Sequence, residues 1–136
     1  TALVESLNLG RRFQFTGFAE NVGEFLQSFD IFVMASKTEG LGTSIIDAQA
    51  VGCPIAATRA GGIPELIRDG ETGLLAPPQH PRALAAALLK LIDQPELRGR
   101  LGRAAGEQAR QFSVDRMVEK TIAVYNEFSA FNDRLR

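Results

Sequence analysis

The sequence predicts an α/β fold, a parallel sheet with helices on its faces followed by C-terminal helices. Three observations lead there. Short apolar runs alternate with helical patterns in a β-α-β-α rhythm. One of those runs, Ile31-Phe32-Val33-Met34-Ala35, feeds a glycine turn that opens a helix. From Leu84 onward, apolar residues recur at helical spacing.

Taken in order, residues 2–9 read as the tail of a helix closed by Gly10. Residues 13–17, F-Q-F-T-G, alternate apolar and polar and end in glycine, as a short strand does. Residues 20–29 carry Val22, Phe25, Leu26 and Phe29 at helical spacing. Residues 31–35 are the second strand. A helix follows over 43–51, with Thr43 and Ser44 as N-cap candidates and Gly52 with Pro54 as its stop. Residues 54–58 are the third strand. The run A-G-G-I-P-E-L-I at 60–67 reads as a glycine loop and a short helix. D-G-E-T-G at 69–73 is turn chemistry, and residues 74–76 are a fourth, short strand before Pro77-Pro78.

In the tail, Leu84, Ala87, Leu88, Leu91 and Ile92 share one stripe. Pro95 suits the first position of the next helix, which carries Leu97, Leu101, Ala105 and Phe112. Ser113 caps a last helix with Val114, Met117, Val118, Thr121, Tyr125 and Phe128 on one face, extended by Phe131 and Leu135. A tail this apolar is expected to pack on something.

Composition narrows the function classes. A chain of 136 residues suits one domain with a usable core. Its 45% hydrophobic and 23% charged residues are those of a soluble globular protein. A net charge of −1 gives no nucleic-acid or membrane footprint. The single cysteine, Cys53, makes neither an internal disulfide nor a zinc cage, and reads as a small buried residue. No apolar segment reaches membrane-spanning length and no signal peptide is visible. The chain starts at Thr1 inside a helical pattern, so a piece of a longer polypeptide is expected.

The chemistry concentrates between Ser36 and Pro54, S-K-T-E-G-L-G-T-S-I-I-D-A-Q-A-V-G-C-P. A strand ends, glycines make a turn, and a helix N-terminus opens. Free N–H groups and the helix dipole make such a point an anion site. Glu39 and Asp47 flank it. Carboxylates are poor phosphate ligands, but at the edges of the site they accept hydrogen bonds from sugar hydroxyls.

With these residues in view, the stretch from Phe15 to Pro77 resembles the donor-binding, C-terminal domain of the GT-B glycosyltransferases, in particular the retaining group called family 4 or group 1. The motifs are F-T-G, S-K-T-E-G-L-G, D-A-Q-A-V-G-C-P, A-G-G-I-P-E-L-I and D-G-E-T-G-L-L-A-P, collinear and in the family's spacing. The family signature places two glutamates eight positions apart around the turn. Here they are Glu39 and Asp47, the second a methylene shorter.

The resemblance implies a Rossmann-like parallel sheet and transfer of a hexosyl-type sugar from a nucleotide-diphosphate sugar, with retention and without a metal or other cofactor. Glu39 would face the transferred sugar as the catalytic residue. Gly40, Gly42, Thr43 and Ser44 would meet the diphosphate, Asp47 the ribose, and Phe18 and Ala19 the base. It makes residues 13–17 the third strand of the family sheet and 31–35, 54–58 and 74–76 the fourth to sixth. With strand order 3-2-1-4-5-6, the first two strands are expected to be missing, and residues 13–17 to stand about 14 Å from 31–35. The basic loop after the first strand, which grips donor phosphates in that family, has no match. Alone, the chain is expected not to catalyse transfer. An acceptor glycan or lipid, and peripheral membrane contact, would come through missing parts. No nucleic-acid partner is implied, and the setting is cytoplasmic.

Each assignment has a structural rival. Asp47 completes a capping box if Ser44 is the cap. Gly61 and Gly62 either let a loop pass close to the donor phosphates or serve positive φ alone. Glu65 braces the short helix, Lys37 and Arg59 are solvated loop residues, and His80 belongs to a helix start. As a whole, a non-catalytic nucleotide-binding module or a GT-B nucleotide-sugar epimerase stays open beside the transferase. A plain α/β interaction domain would bind no nucleotide.

Overall fold

The computed structural model describes residues 2–133, with side chains as far as Phe128. Three strands, β1 (Phe32–Met34), β2 (Ile55–Thr58) and β3 (Leu74–Ala76), form a parallel sheet in the order β1-β2-β3. The register pairs Val33 with Ala56 and Ala57 with Leu75. All four residues of the central strand are buried, as expected of a strand covered on both faces. Alternation sends Ile55 and Ala57 to one layer and Ala56 to the other.

The first layer holds α2 (Val22–Gln27), α3 (Thr43–Ala50) and α4 (Ile63–Leu66), which bury Leu26, Ile45, Ala48, Ile63 and Leu66 against the sheet. The opposite layer holds α5 (Pro81–Asp93), and α6 (Pro95–Ala109) joins it through Leu101 while packing along α3; Leu84, Leu91 and Leu101 lie on Ala56, Leu74 and Ala76. Pro81 and Pro95 each open their helix, where a missing N–H costs nothing. α1 (Ala2–Ser6) and a 3-10 turn over Gly10–Arg12 precede α2, and a second 3-10 turn, Arg110–Phe112, leads into α7 (Val114–Asp133). No helix is long and apolar enough to cross a membrane among the described residues.

The structure corrects three expectations. Residues 13–17 form no strand. Among the described residues no backbone hydrogen bond joins them to 31–35, and without a partner an alternating stretch has no ladder to enter. The helix after the turn is capped by Gly42, not by Thr43 or Ser44. It ends at Ala50, one residue early.

The apolar face of α7 finds no cover among the described residues: Val114, Met117, Val118, Ile122, Tyr125 and Phe128 are all exposed. The expected contributions of Phe131 and Leu135 lie outside the described side chains. Phe13, Phe15, Val22, Phe25 and Phe29 are exposed as well, next in sequence to a β1 whose outer edge is unpaired and whose Val33 is 41% exposed.

Candidate functional site

β1 ends at Met34, and the chain then turns through residues 35–42 before α3 begins. Gly42 makes that entry possible with φ 77° and ψ 51°, a left-handed conformation that costs glycine no steric penalty. The Ile45 N–H donates to the Gly42 carbonyl at 2.9 Å. The N–H groups of Thr43 and Ser44 have no partner among the described residues. They are the unsatisfied donors at the positive end of the α3 dipole.

Glu39 is half-buried at the edge of this turn. One carboxylate oxygen accepts from the Ser36 hydroxyl at 3.1 Å, and the other accepts from the Gly40 N–H at 3.1 Å. These bonds orient the carboxylate along the turn. Ser36 is itself tied down, since its carbonyl accepts from the buried Thr58 hydroxyl at 2.7 Å. The ends of β1 and β2 are thus locked together at the carboxyl edge of the sheet, where open α/β folds place ligands.

The glycine loop after β2 closes onto the turn. The Gly62 N–H donates to the Gly40 carbonyl at 2.9 Å. A Cβ on Gly61 would overlap the Glu39 carbonyl, and one on Gly62 would lie 2.5 Å from the Gly40 oxygen. Of the two sequence readings for these glycines, positive φ holds at Gly61, at 51°, and not at Gly62, at −79°, and both glycines lie close against the Glu39–Gly40 backbone.

Asp47 sits exposed on α3, one turn from Thr43, and its carboxylate has no hydrogen-bond or ion-pair partner among the described residues. The capping box with Ser44 is not formed, because Ser44 is inside the helix and Gly42 is the cap. Phe18 is 92% exposed and Ala19 half-buried, and no hydrogen bond or ion pair among the described residues links either to the turn. The structure therefore brings together Glu39, Gly40, Gly42, Thr43 and Ser44, places Asp47 on the same helix, and leaves Phe18 and Ala19 unconnected to them.

The other singled-out residues resolve simply. Arg59 is not free: its guanidinium pairs with Asp69 at 2.9 Å, while the other Asp69 oxygen accepts from the Leu75 N–H at 2.9 Å. Glu65 is exposed, and its side chain has no hydrogen-bond partner among the described residues. His80 precedes α5 at the cap position without a side-chain capping bond. Burial pushes the Cys53 thiol above its ordinary value, with Asp30 adding to the rise and the Phe32 backbone offsetting part of it. A raised thiol pKa means little thiolate and low reactivity. A cavity of about 680 Å³ opens between α3 and α6, but it is lined by Val51, Gly102, Arg103 and Arg110 among others and by none of the predicted site residues. The oriented donors and carboxylate at the turn, not the room in that cavity, decide where the site lies.

Three participants escaped sequence reasoning. Ser36 orients Glu39 from three residues upstream, a spacing that would have suggested it. Gln49 and Gln108 both reach the Leu66 carbonyl, at 2.7 and 2.9 Å, and no local pattern signals that meeting.

Comparison with known proteins adds three findings. The family model for glycosyl transferases group 1 matches residues 1–108. The D-inositol 3-phosphate glycosyltransferase of Streptomyces griseus is 37% identical over 117 residues, which are 86% of this chain and 24% of that protein. The chain thus spans about a quarter of the length of this curated relative. Among solved structures, the sucrose-phosphate synthase of Thermosynechococcus elongatus superposes with a TM-score of 0.87 at 30% identity, over 95% of this chain and 33% of that one. A TarM mutant of S. aureus, solved in complex with UDP, alpha-GlcNAc-glycerol and Fondaparinux, gives 0.81 at 26% identity, over 92% of this chain and 26% of that one.

Proposed function

The chain belongs to the group 1 glycosyl transferases, and from that premise we propose that it is the donor-binding part of a longer enzyme that transfers a sugar from a nucleotide-diphosphate sugar with retention of configuration. One observation carries the reading: two unpartnered N–H groups at the start of α3 stand beside a carboxylate already oriented by Ser36.

In this reading the diphosphate lies at the start of α3. The Thr43 and Ser44 N–H groups donate to it, and the helix dipole, equivalent to roughly half a positive charge, stabilises the charge that grows as the glycosidic bond to phosphate breaks. No metal is needed for that role. Glu39, held off the phosphate by its bonds to Ser36 and Gly40, accepts from hydroxyls of the departing sugar. Asp47 accepts from the ribose, and the loop at Phe18 and Ala19 borders the base. The UDP held by TarM supports a nucleoside diphosphate as the ligand class. A glycan or lipid acceptor, and any peripheral membrane contact, belong to the remainder of the enzyme. A cytoplasmic setting is part of the reading.

The test is a titration of UDP and of UDP-glucose followed by the backbone amide shifts of this chain. Shifts concentrated at residues 39–47 are expected with both ligands, with Glu39 responding more to the sugar nucleotide. No sugar transfer by the 136 residues alone is expected. A flat titration at millimolar ligand would overturn the reading.

A further inference from the structure

Gln49 lies on α3 and is fully buried. Its side-chain nitrogen donates to the Leu66 carbonyl at 2.7 Å. Gln108, on α6, donates to the same oxygen at 2.9 Å. Leu66 is the last residue of α4, so its carbonyl is one that no helical N–H satisfies. Two amides from two different helices thus converge on one carbonyl oxygen, which has two lone pairs to offer.

For stability alone this is a poor arrangement. The Oε1 atoms of both glutamines are buried with no hydrogen-bond partner among the described residues. An unmet buried acceptor is destabilising, whereas apolar side chains of the same shape would fill the space without that penalty. The amides do supply something an apolar residue cannot, a fixed position for the end of α4.

That position matters because α4 is a single turn with the glycine loop at its other end. The Gly62 N–H holds the Gly40 carbonyl, and Gly61 abuts the Glu39 carbonyl. Gln49 returns the connection to α3, the helix that opens at Gly42. The path from the start of α3 through the turn, the glycine loop, α4 and the Leu66 carbonyl therefore closes on α3 itself.

We propose that Gln49 and Gln108 are positioning residues for the donor site. By anchoring the Leu66 carbonyl they set how the Gly61–Gly62 loop presses on the Glu39–Gly40 turn, and so fix the direction of the free N–H groups at the start of α3. The proposal rests on reading that turn as the nucleotide-sugar site.

The experiment uses Gln49→Met, which keeps the volume and removes the donor, and Gln108→Met at the less buried position in case the first variant folds poorly. Amide hydrogen exchange and UDP affinity are measured on the full chain. The expected result is faster exchange at Gly62, by about tenfold for one lost hydrogen bond. The amides of the β2–β3 ladder keep their rates, and UDP affinity falls. Unchanged exchange at Gly62, or a uniform acceleration across the chain, would mean the glutamines only fill the core and would overturn the proposal. Should the unmodified chain show no response to UDP, the donor reading fails. The exchange pattern still decides whether the glutamines hold the turn.

Discussion

The Glu39 carbonyl occupies the space that a Cβ on Gly61 would need. The two glycine turns at the carboxyl edge of the sheet are therefore in contact backbone to backbone, with no side chain between them. Gly61 adds a φ of 51°, which disfavours any other residue a second time.

Gly61→Ala should thus lose more stability than left-handed strain alone explains. Gly70 supplies the control: its φ is 78° and nothing lies within 4 Å of its would-be Cβ. Gly70→Ala is expected to cost about 1–2 kcal/mol from the backbone conformation. Gly61→Ala must also displace the Glu39 carbonyl. Chemical denaturation of both variants checks this, and equal losses would show that the contact is soft.

At Gly42, valine meets a φ of 77°, a genuine outlier for a β-branched residue, and puts its side chain at the entry to α3. A Cβ there makes only ordinary contacts, the nearest at 3.4 Å to Ile45, so the first carbon of the side chain meets no clash. The expected outcome of Gly42→Val is a lost or strongly weakened UDP isotherm in calorimetry. Unchanged affinity would move the diphosphate elsewhere.

Glu39 and Asp47 should separate by ligand. Glu39→Gln is expected to weaken a sugar nucleotide more than the free diphosphate, because in the proposed reading its carboxylate faces the sugar. Asp47→Ala weakens both, since the ribose is common to them. A lost charge-assisted hydrogen bond is worth about 1.5–3 kcal/mol, roughly tenfold to a hundredfold in affinity. Parallel titrations with UDP and UDP-glucose measure it, and equal losses in the Glu39 variant would remove its sugar role.

Cys53 gives a pH dependence with a definite sign. Burial raises its pKa in the folded state, so the folded chain holds the thiol proton more tightly than the unfolded chain. Its contribution is complete below the ordinary thiol value and is lost as pH rises through the folded value. Denaturation midpoints should fall on the alkaline side of that ordinary value, and Cys53→Ala should flatten the fall. A slope identical in the variant would assign it to other groups.

Much of the fold was legible because its signals are local. The apolar runs at β1, β2 and β3 and the prolines opening α5 and α6 need only their neighbours in sequence. What was misread depends on distant parts. Residues 13–17 alternate as a strand does, but a strand exists only with a partner, and none is present in the described sheet. Thr43 and Ser44 looked like caps because hydroxyls usually serve there. A left-handed Gly42 does the same job with no side chain. Gln49 reads as an ordinary polar residue of a helix, and its burial comes from elements distant in sequence, with its amide on the Leu66 carbonyl of α4. The Glu39 carboxylate was found from its motif, whereas the hydroxyl that aims it was found only in three dimensions.

The contact between the glycine turns also bears on how the site can change over evolutionary time. Its frame is made of main-chain atoms, and the side chains of Lys37, Thr38, Leu41 and Arg59 project from it exposed. Under the proposed reading, substitutions at those four positions can alter the chemistry offered to a sugar while the backbone of the turn keeps its shape. The main-chain frame and the exposed side chains occupy the same loops. If the turn binds the diphosphate as proposed, a chain built this way can diversify its donor without rebuilding that turn.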